Sequence, residues 1–213
     1  MRTRKKKHGS ERISALSDLL ITDTSAAPGY NQRFFAGASP LHLEIGCGKG
    51  RFICGMAQTH PDINFIAVER VPDIIVTAME ACNRISLTNI RFIIGDAFLL
   101  PDYFADGEVN RIYLNFSDPW PKKKHHKRRL TAPGFLNIYK TLLSPGGSVV
   151  LKTDNHDLFV FSLEEFQKAG FRLDAVTYDL HNSIYNTGNI MTEYEMNFSS
   201  KGFPIHSVTA YKD

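Results

Sequence analysis

An α/β fold with a mainly parallel sheet is predicted by three features of this 213-residue chain. Short apolar runs alternate with segments of helical period. A glycine-rich loop separates the first such run from the first helical segment, and two long strand-like segments close the chain with no helical pattern between them. The alternation implies parallel strands with helices on both faces, and the closing pair implies an antiparallel hairpin at one edge. At 43% hydrophobic residues the chain covers both faces of one sheet, so a single domain is expected over residues 39–213, preceded by a loosely packed basic arm at 1–38.

Each element has its own signal. The arm lacks a sustained period and contains Ala26-Ala27-Pro28-Gly29, so only a short helix near 11–20 is expected there. A strand at 41–45 leads through the glycines to a helix at 51–59, where Phe52, Ile53, Met56 and Ala57 recur at helical spacing. The next strand spans 64–69, and Pro72 suits the first turn of a helix that runs to 84. A strand at 90–94, a helical piece near 98–104 and a strand at 109–116 follow. Beyond a basic run, a helix at 132–143 is stopped by Ser144-Pro145-Gly146-Gly147 and precedes a strand at 148–153. A helix at 158–169, strands at 171–180 and 205–211, and an irregular connection at 182–200 complete the chain. That connection is too long to be idle in a compact domain. Ligands of such sheets bind at the carboxyl ends of the strands, where the strand order reverses.

Composition excludes several classes. No apolar run approaches the roughly 20 residues a membrane-spanning helix needs. The N-terminus is basic, but the residues after it are mixed and polar, so no export signal is expected. Cys47, Cys54 and Cys82 have no paired or metal-ligating spacing; the expectation is free buried thiols in a reducing cytoplasm, and no metal. The sequon at 115–117 ends an apolar run and is set aside for the same reason.

The segment Glu44-Ile45-Gly46-Cys47-Gly48-Lys49-Gly50 joins the first strand to the first helix. Gly46 and Gly48 let the backbone turn sharply and approach a ligand closely. In a dinucleotide site this loop holds a pyrophosphate, which a carboxylate at Glu44 would repel. Glu44 suits a ligand with an ammonium and a cationic sulfur, and so points to S-adenosylmethionine. Glu69 closes the second strand where an acid accepts hydrogen bonds from ribose hydroxyls. Asp96, followed by Ala97, ends the third strand, where a carboxylate can meet an adenine amino group.

The fourth strand ends in Asn115-Phe116-Ser117-Asp118-Pro119-Trp120-Pro121-Lys122. Its prolines prevent the strand from continuing and hold Asp118 at the sheet's carboxyl edge. If the acceptor is a purine nitrogen, a carboxylate fixed there can stabilise the positive charge that methylation brings, which makes Asp118 a catalytic candidate. The net charge is only +3, but basic residues cluster at positions 2–7 and 122–129. Lys123, Lys124, Lys127, Arg128 and Arg129 follow the proposed site directly, where they can bind RNA phosphates without reading sequence.

With these motifs and Asn189-Ile190-Met191-Thr192-Glu193-Tyr194-Glu195, the chain resembles the bacterial tRNA (guanine-N7)-methyltransferase family over essentially its whole length. The resemblance implies a Rossmann-like class I methyltransferase sheet, with Glu44, Glu69, Asp96 and Asp118 contributing to the cofactor and reaction site; a monomer or homodimer in the cytoplasm is expected. It further implies methyl transfer from S-adenosylmethionine to N7 of a guanosine in the tRNA variable loop. Lys122, Asp154, Thr192, Glu193, Tyr194 and Glu195 would then contact the substrate guanosine or its surroundings. A methyltransferase for another RNA or base position, and a noncatalytic RNA-binding protein, remain open at this point; Glu44 and the lack of a hydride-transfer site argue against a NAD-dependent oxidoreductase.

Overall fold

The computed structural model describes residues 9–22, 34, 35, 37 and 39–213. Among these residues seven strands form one sheet in the order β3-β2-β1-β4-β5-β7-β6. The first five are β1 (Leu41–Ile45), β2 (Asn64–Glu69), β3 (Ile90–Ile94), β4 (Val109–Asn115) and β5 (Leu143–Thr153), and neighbours among them run parallel. β6 (Phe171–Thr177) and β7 (His206–Lys212) close the sheet, with β7 antiparallel to both β5 and β6. All five residues of β1 are buried, as expected of a parallel strand covered on both faces.

Helices α2 (Arg51–Thr59) and α3 (Pro72–Arg84) cover one face, packing Phe52, Ile53, Ile75 and Met79 against Phe65, Ala67 and Phe92. Helices α4 (Pro133–Leu142) and α5 (His156–Lys168) cover the other, where Leu136, Tyr139, Phe159 and Phe166 meet Leu43, Ile112, Leu114 and Leu151. Removing one such fully buried phenylalanine to Ala costs about 3–5 kcal/mol. The chain builds outward from β1 to β3, then returns to add β4 on the other side of β1. This reversal opens a crevice at the carboxyl ends of β1 and β4.

The expected strands and helices are present, with informative departures. Residues 9–22 of the arm are not loose: α1 (Gly9–Ser14) packs on α3, and Arg12 donates to both carboxylate oxygens of Glu80 at 2.7 and 2.6 Å. Ile21 is buried, and its N–H bonds the Phe92 carbonyl at 2.8 Å. The basic residues at positions 2–7 lie outside the described residues. The piece expected near 98–104 is a 3-10 turn at Ala97–Asp102. β5 starts directly at Leu143, taking Ser144-Pro145-Gly146-Gly147 into an irregular strand start, because Leu143 already pairs with Val109 before the register shifts.

β4 stops one residue before Phe116, whose φ of +53° breaks the extended geometry, and β6 ends at Thr177 rather than 180. The connection at 182–200 is not irregular throughout: it contains a 3-10 turn at Ile184–Asn186 and helix α6 (Glu193–Ser199). Cys54 of α2 and Cys82 of α3 form a disulfide with a Cα separation of 5.7 Å, contrary to the expectation of three free thiols. The two helices approach closely because Gly50 leaves room: a Cβ there would lie 2.4 Å from Cβ of Ala78. Cys47 remains free and buried, and burial pushes its thiol well above the ordinary range, so it behaves as a small apolar side chain.

Candidate active site

The glycine loop leaves β1 at the reversal point. Gly46, Gly48 and Gly50 all have positive φ, and Gly46 and Gly48 have open space where a Cβ would stand. The loop is pinned from beneath: N–H groups of Gly46 and Cys47 bond the Val68 carbonyl at 2.8 and 3.2 Å. Glu69 braces it from the end of β2, accepting from the Gly48 N–H at 3.2 Å and from the Val71 N–H at 3.0 Å. Asp96 caps the 3-10 turn after β3, accepting from the Phe98 N–H at 3.0 Å. These acids therefore shape the loops of the crevice as well as lining it.

Two cavities share Gly46, Asn115 and Phe116 in their walls. The larger, about 610 Å³, is bordered by Glu69, Asp96, Ala97 and Phe98 toward β2 and β3, and by Ser117, Asp118, Trp120 and Arg128 beyond β4. The smaller, about 230 Å³, is bordered by Glu44, Gly48, Thr192, Glu193 and Tyr194. Sequence positions from 44 to 194 thus line two adjoining cavities at the reversal point.

Glu44 is 1% exposed. Its Oε1 accepts from the Asn115 amide at 2.8 Å, while its Oε2 and the Asn115 Oδ1 are buried without partners. Burial pushes the Glu44 carboxyl up to about 7, against the opposing pull of the Asn115 hydrogen bond and Lys152. Unsatisfied buried acceptors are costly; these two, beside an open glycine loop, call for a cationic donor. The ammonium of a bound ligand would supply donors of the kind they lack. The Ser117 Oγ, at the wall of the larger cavity, is also unpartnered.

Around Asp118 the backbone is held in unusual conformations, with φ of +53° at Phe116 and +42° at Trp120. Such residues persist only where their surroundings fix them, and they cluster at functional sites. Here Arg128 lies over the Trp120 ring at 4.9 Å. Asp118 itself is exposed at the cleft wall.

A family model described as "Putative methyltransferase" matches residues 38–208. A tRNA (guanine-N(7)-)-methyltransferase of Halalkalibacterium halodurans is 47% identical over 210 residues, covering 99% of this chain and 95% of that protein. The chain belongs to the tRNA (guanine-N7)-methyltransferase family. The like-named protein of Geobacillus thermodenitrificans is 46% identical, covering all of this chain and 98% of its own. Among solved structures, the 16S rRNA methyltransferase KamB superposes with a TM-score of 0.65 at 14% identity, covering 87% of this chain and 94% of that one; this likeness concerns the fold. Membership of this methyltransferase family makes S-adenosylmethionine the cofactor, and the unpartnered Glu44 and Asn115 acceptors fit its ammonium. Among the described residues no cluster suits a metal and no helix is long and apolar enough to cross a membrane.

The remaining candidates divide by environment. Thr192 caps α6 through its hydroxyl and Glu195 answers with its carboxylate, a reciprocal capping box. Glu193 pairs with Lys49 at 2.8 Å over the small cavity. The Tyr194 hydroxyl donates to Asp154 at 3.1 Å; burial and the Asp154 charge push its own ionisation up to about 12. Glu195 is fully buried and points inward, accepting from Lys152 at 2.7 Å, Asn189 at 2.9 Å and His181 at 2.9 Å. It anchors the segment that carries Thr192 and Tyr194 rather than facing the cleft.

In the basic run, Lys122, Lys123, Lys124, Lys127 and Arg128 are exposed, and Lys123–Arg128 forms a 3-10 turn. Arg129 departs from the expectation of a phosphate contact: it is 3% exposed, donates to the Pro119 carbonyl at 2.7 Å and lies over the Phe161 ring at 4.5 Å. It holds the Asp118 loop in place. Sequence reasoning passed over Asn115, Lys152, His181 and Phe98. A lone lysine closing the apolar run Val149-Val150-Leu151-Lys152 is the signal that marks Lys152.

Proposed function

We propose that this protein transfers the methyl group of S-adenosylmethionine to N7 of a guanosine in the variable loop of tRNA, working in the cytoplasm as a monomer or homodimer. The observation that carries the reading is the pair of unpartnered buried acceptors, Glu44 Oε2 and Asn115 Oδ1, where Asn115 lines both cavities, Glu44 the smaller and Asp118 the larger. The names of relatives 47% and 46% identical over the full length support the base and the atom.

Glu44, Asn115 and the glycine loop would hold the cofactor's amino-acid end, with Glu69 and Asp96 accepting from its ribose and adenine. When bound, S-adenosylmethionine supplies an electrophilic methyl group on a cationic sulfur. Guanine N7 carries an available lone pair, so the protein need not remove a proton from it. The protein's task is to orient the purine and stabilise the positive charge that arrives with the methyl group. Asp118, facing the purine's N1 and amino edge, does this because its charge acts more strongly on the charged transition state than on the neutral base. The Trp120 and Arg128 wall limits the base's freedom. Lys122 and Asp154 would contact the guanosine or its surroundings, and Lys123, Lys124 and Lys127 its flanking phosphates.

Synthetic tRNA carrying 7-deazaguanosine at the target tests the atom. The proposal expects methyl transfer to the normal tRNA and none to the deaza form. Equal transfer to both would rule out N7.

A further inference from the structure

A row of aromatic rings leads out from the cavity walls, and of these only Tyr194 is among the substrate-contact candidates above. Phe116, shared by both cavities, lies 5.0 Å from the Tyr194 ring. Tyr194 stacks on Phe198 at 4.1 Å with planes 16° apart, as residues four apart on α6. Phe198 meets Phe203 at 5.7 Å. Tyr194 is 42% and Phe203 52% exposed. The Lys201 ammonium lies 5.4 Å from the Phe198 ring, and the Tyr194 hydroxyl is tied to Asp154, which fixes its ring. The buried Lys152–Glu195 pair braces the helix that carries Tyr194 and Phe198.

Resting on the tRNA reading above, we infer that this aromatic ledge is a stacking platform for an unpaired nucleobase next to the target guanosine. Three features select that occupant. The ledge is continuous with the wall of the cleft into which the target base must enter. Drawing one base into a pocket strips its neighbours of stacking partners, and aromatic faces replace them without regard to sequence. Lys201 supplies a cation beside the rings, suited to the phosphate that accompanies each base. An exposed apolar surface of this kind ordinarily marks an interaction site.

The test uses the full-length protein with Phe198→Leu/Phe203→Leu, two residues outside the catalytic and cofactor sites, and an aromatic control Phe198→Tyr. The Leu variant is expected to weaken tRNA binding and raise KM for tRNA about tenfold, with cofactor affinity and kcat unchanged. Phe198→Tyr is expected to retain wild-type values. A stem-loop substrate made abasic beside the target guanosine is expected to bind wild type about tenfold more weakly, and the Leu variant with little further loss. If the variant and abasic penalties simply multiply, or if the variant binds tRNA normally, the platform is refuted while the methyl-transfer reading stands. A change in oligomeric state in the Leu variant, with tRNA affinity intact, would assign the ledge to contact between copies instead. Absence of transfer by the wild type would overturn both readings.

Discussion

The Lys152 ammonium on β5 donates to the Glu195 carboxylate on α6 at 2.7 Å, with the two side chains 4% and 0% exposed. Lys152 also donates to Asn189 Oδ1 and the Ile190 carbonyl, and lies over the Phe52 ring at 4.9 Å. This joint fixes the Thr192–Tyr194 segment, which lines the smaller cavity, against the sheet. Burial alone would raise the Glu195 carboxyl, but the charge and hydrogen bond of Lys152, with bonds from Asn189 and His181, leave it lowered. Burial depresses the Lys152 ammonium, against the pull of Glu195.

Removing one partner strands a buried charge. Lys152→Met or Glu195→Gln is expected to cost about 3–5 kcal/mol in chemical denaturation, and Lys152→Met/Glu195→Leu appreciably less. Because the folded Glu195 carboxyl is depressed, its contribution is present above the ordinary carboxylate value and lost as pH falls through the lowered one. Glu195→Gln should flatten that acid limb. Single variants as stable as wild type would show that the pair does not hold the segment.

If Glu44 holds the cofactor's ammonium as proposed, cofactor binding depends on pH. With its carboxyl near 7 in the free protein, a cationic ligand favours the ionised form, so affinity is expected to fall about tenfold per pH unit below 7 and to level off above it. Glu44→Gln should bind weakly with a flatter profile. The stability effect has the opposite sense: a raised carboxyl stabilises the fold below about 4.5, and that contribution is lost as pH rises through 7. Glu44→Gln is therefore expected to gain on wild type most at pH 8, by up to roughly 3 kcal/mol. Calorimetric titration and denaturation at pH 5 and 8 check both statements; a pH-independent wild-type affinity would refute the first.

Asp118→Asn separates binding from chemistry. The side chain is exposed and its loop is held by other residues, among them Arg129, so the variant is expected to fold and to bind tRNA as wild type does. Losing the charge should lower kcat about 100-fold or more, as for other preorganised electrostatic groups. Single-turnover transfer at saturating tRNA is the measurement, and an unimpaired rate would remove Asp118 from the mechanism.

The basic run contains two kinds of residue. Replacing Lys123, Lys124 and Lys127 by Ala should reduce the slope of log affinity against log salt by about 2, with little effect on stability. Arg129→Ala should instead destabilise the protein and leave that slope nearly unchanged. The account fails at this point if the triple variant keeps the wild-type slope.

Local pattern carried most of the fold. β1 to β4 were legible as apolar runs because strands buried on both faces need no alternation, and the places of Glu44, Glu69, Asp96 and Asp118 in the cavity walls were legible because strand ends face the reversal point. What escaped was set by contacts distant in sequence. Lys152 and Glu195 lie 43 residues apart, so no window of helical length reveals that they meet. α6 was missed because its inward side is led by a charged residue; the Thr192-x-x-Glu195 capping box was its visible signal. Arg129 reads like its neighbours in a charge run, yet the turn at Lys123–Arg128 rotates it inward. Cys54 and Cys82 meet only because α2 and α3 pack together over Gly50.

The most direct test of the account is the identity of the product. The purified protein is incubated with labelled S-adenosylmethionine and unmodified tRNA, and the tRNA is digested to nucleosides and analysed by mass spectrometry. The account predicts label in 7-methylguanosine. Label in any other nucleoside would keep the fold and cofactor but contradict the assignment of guanine N7.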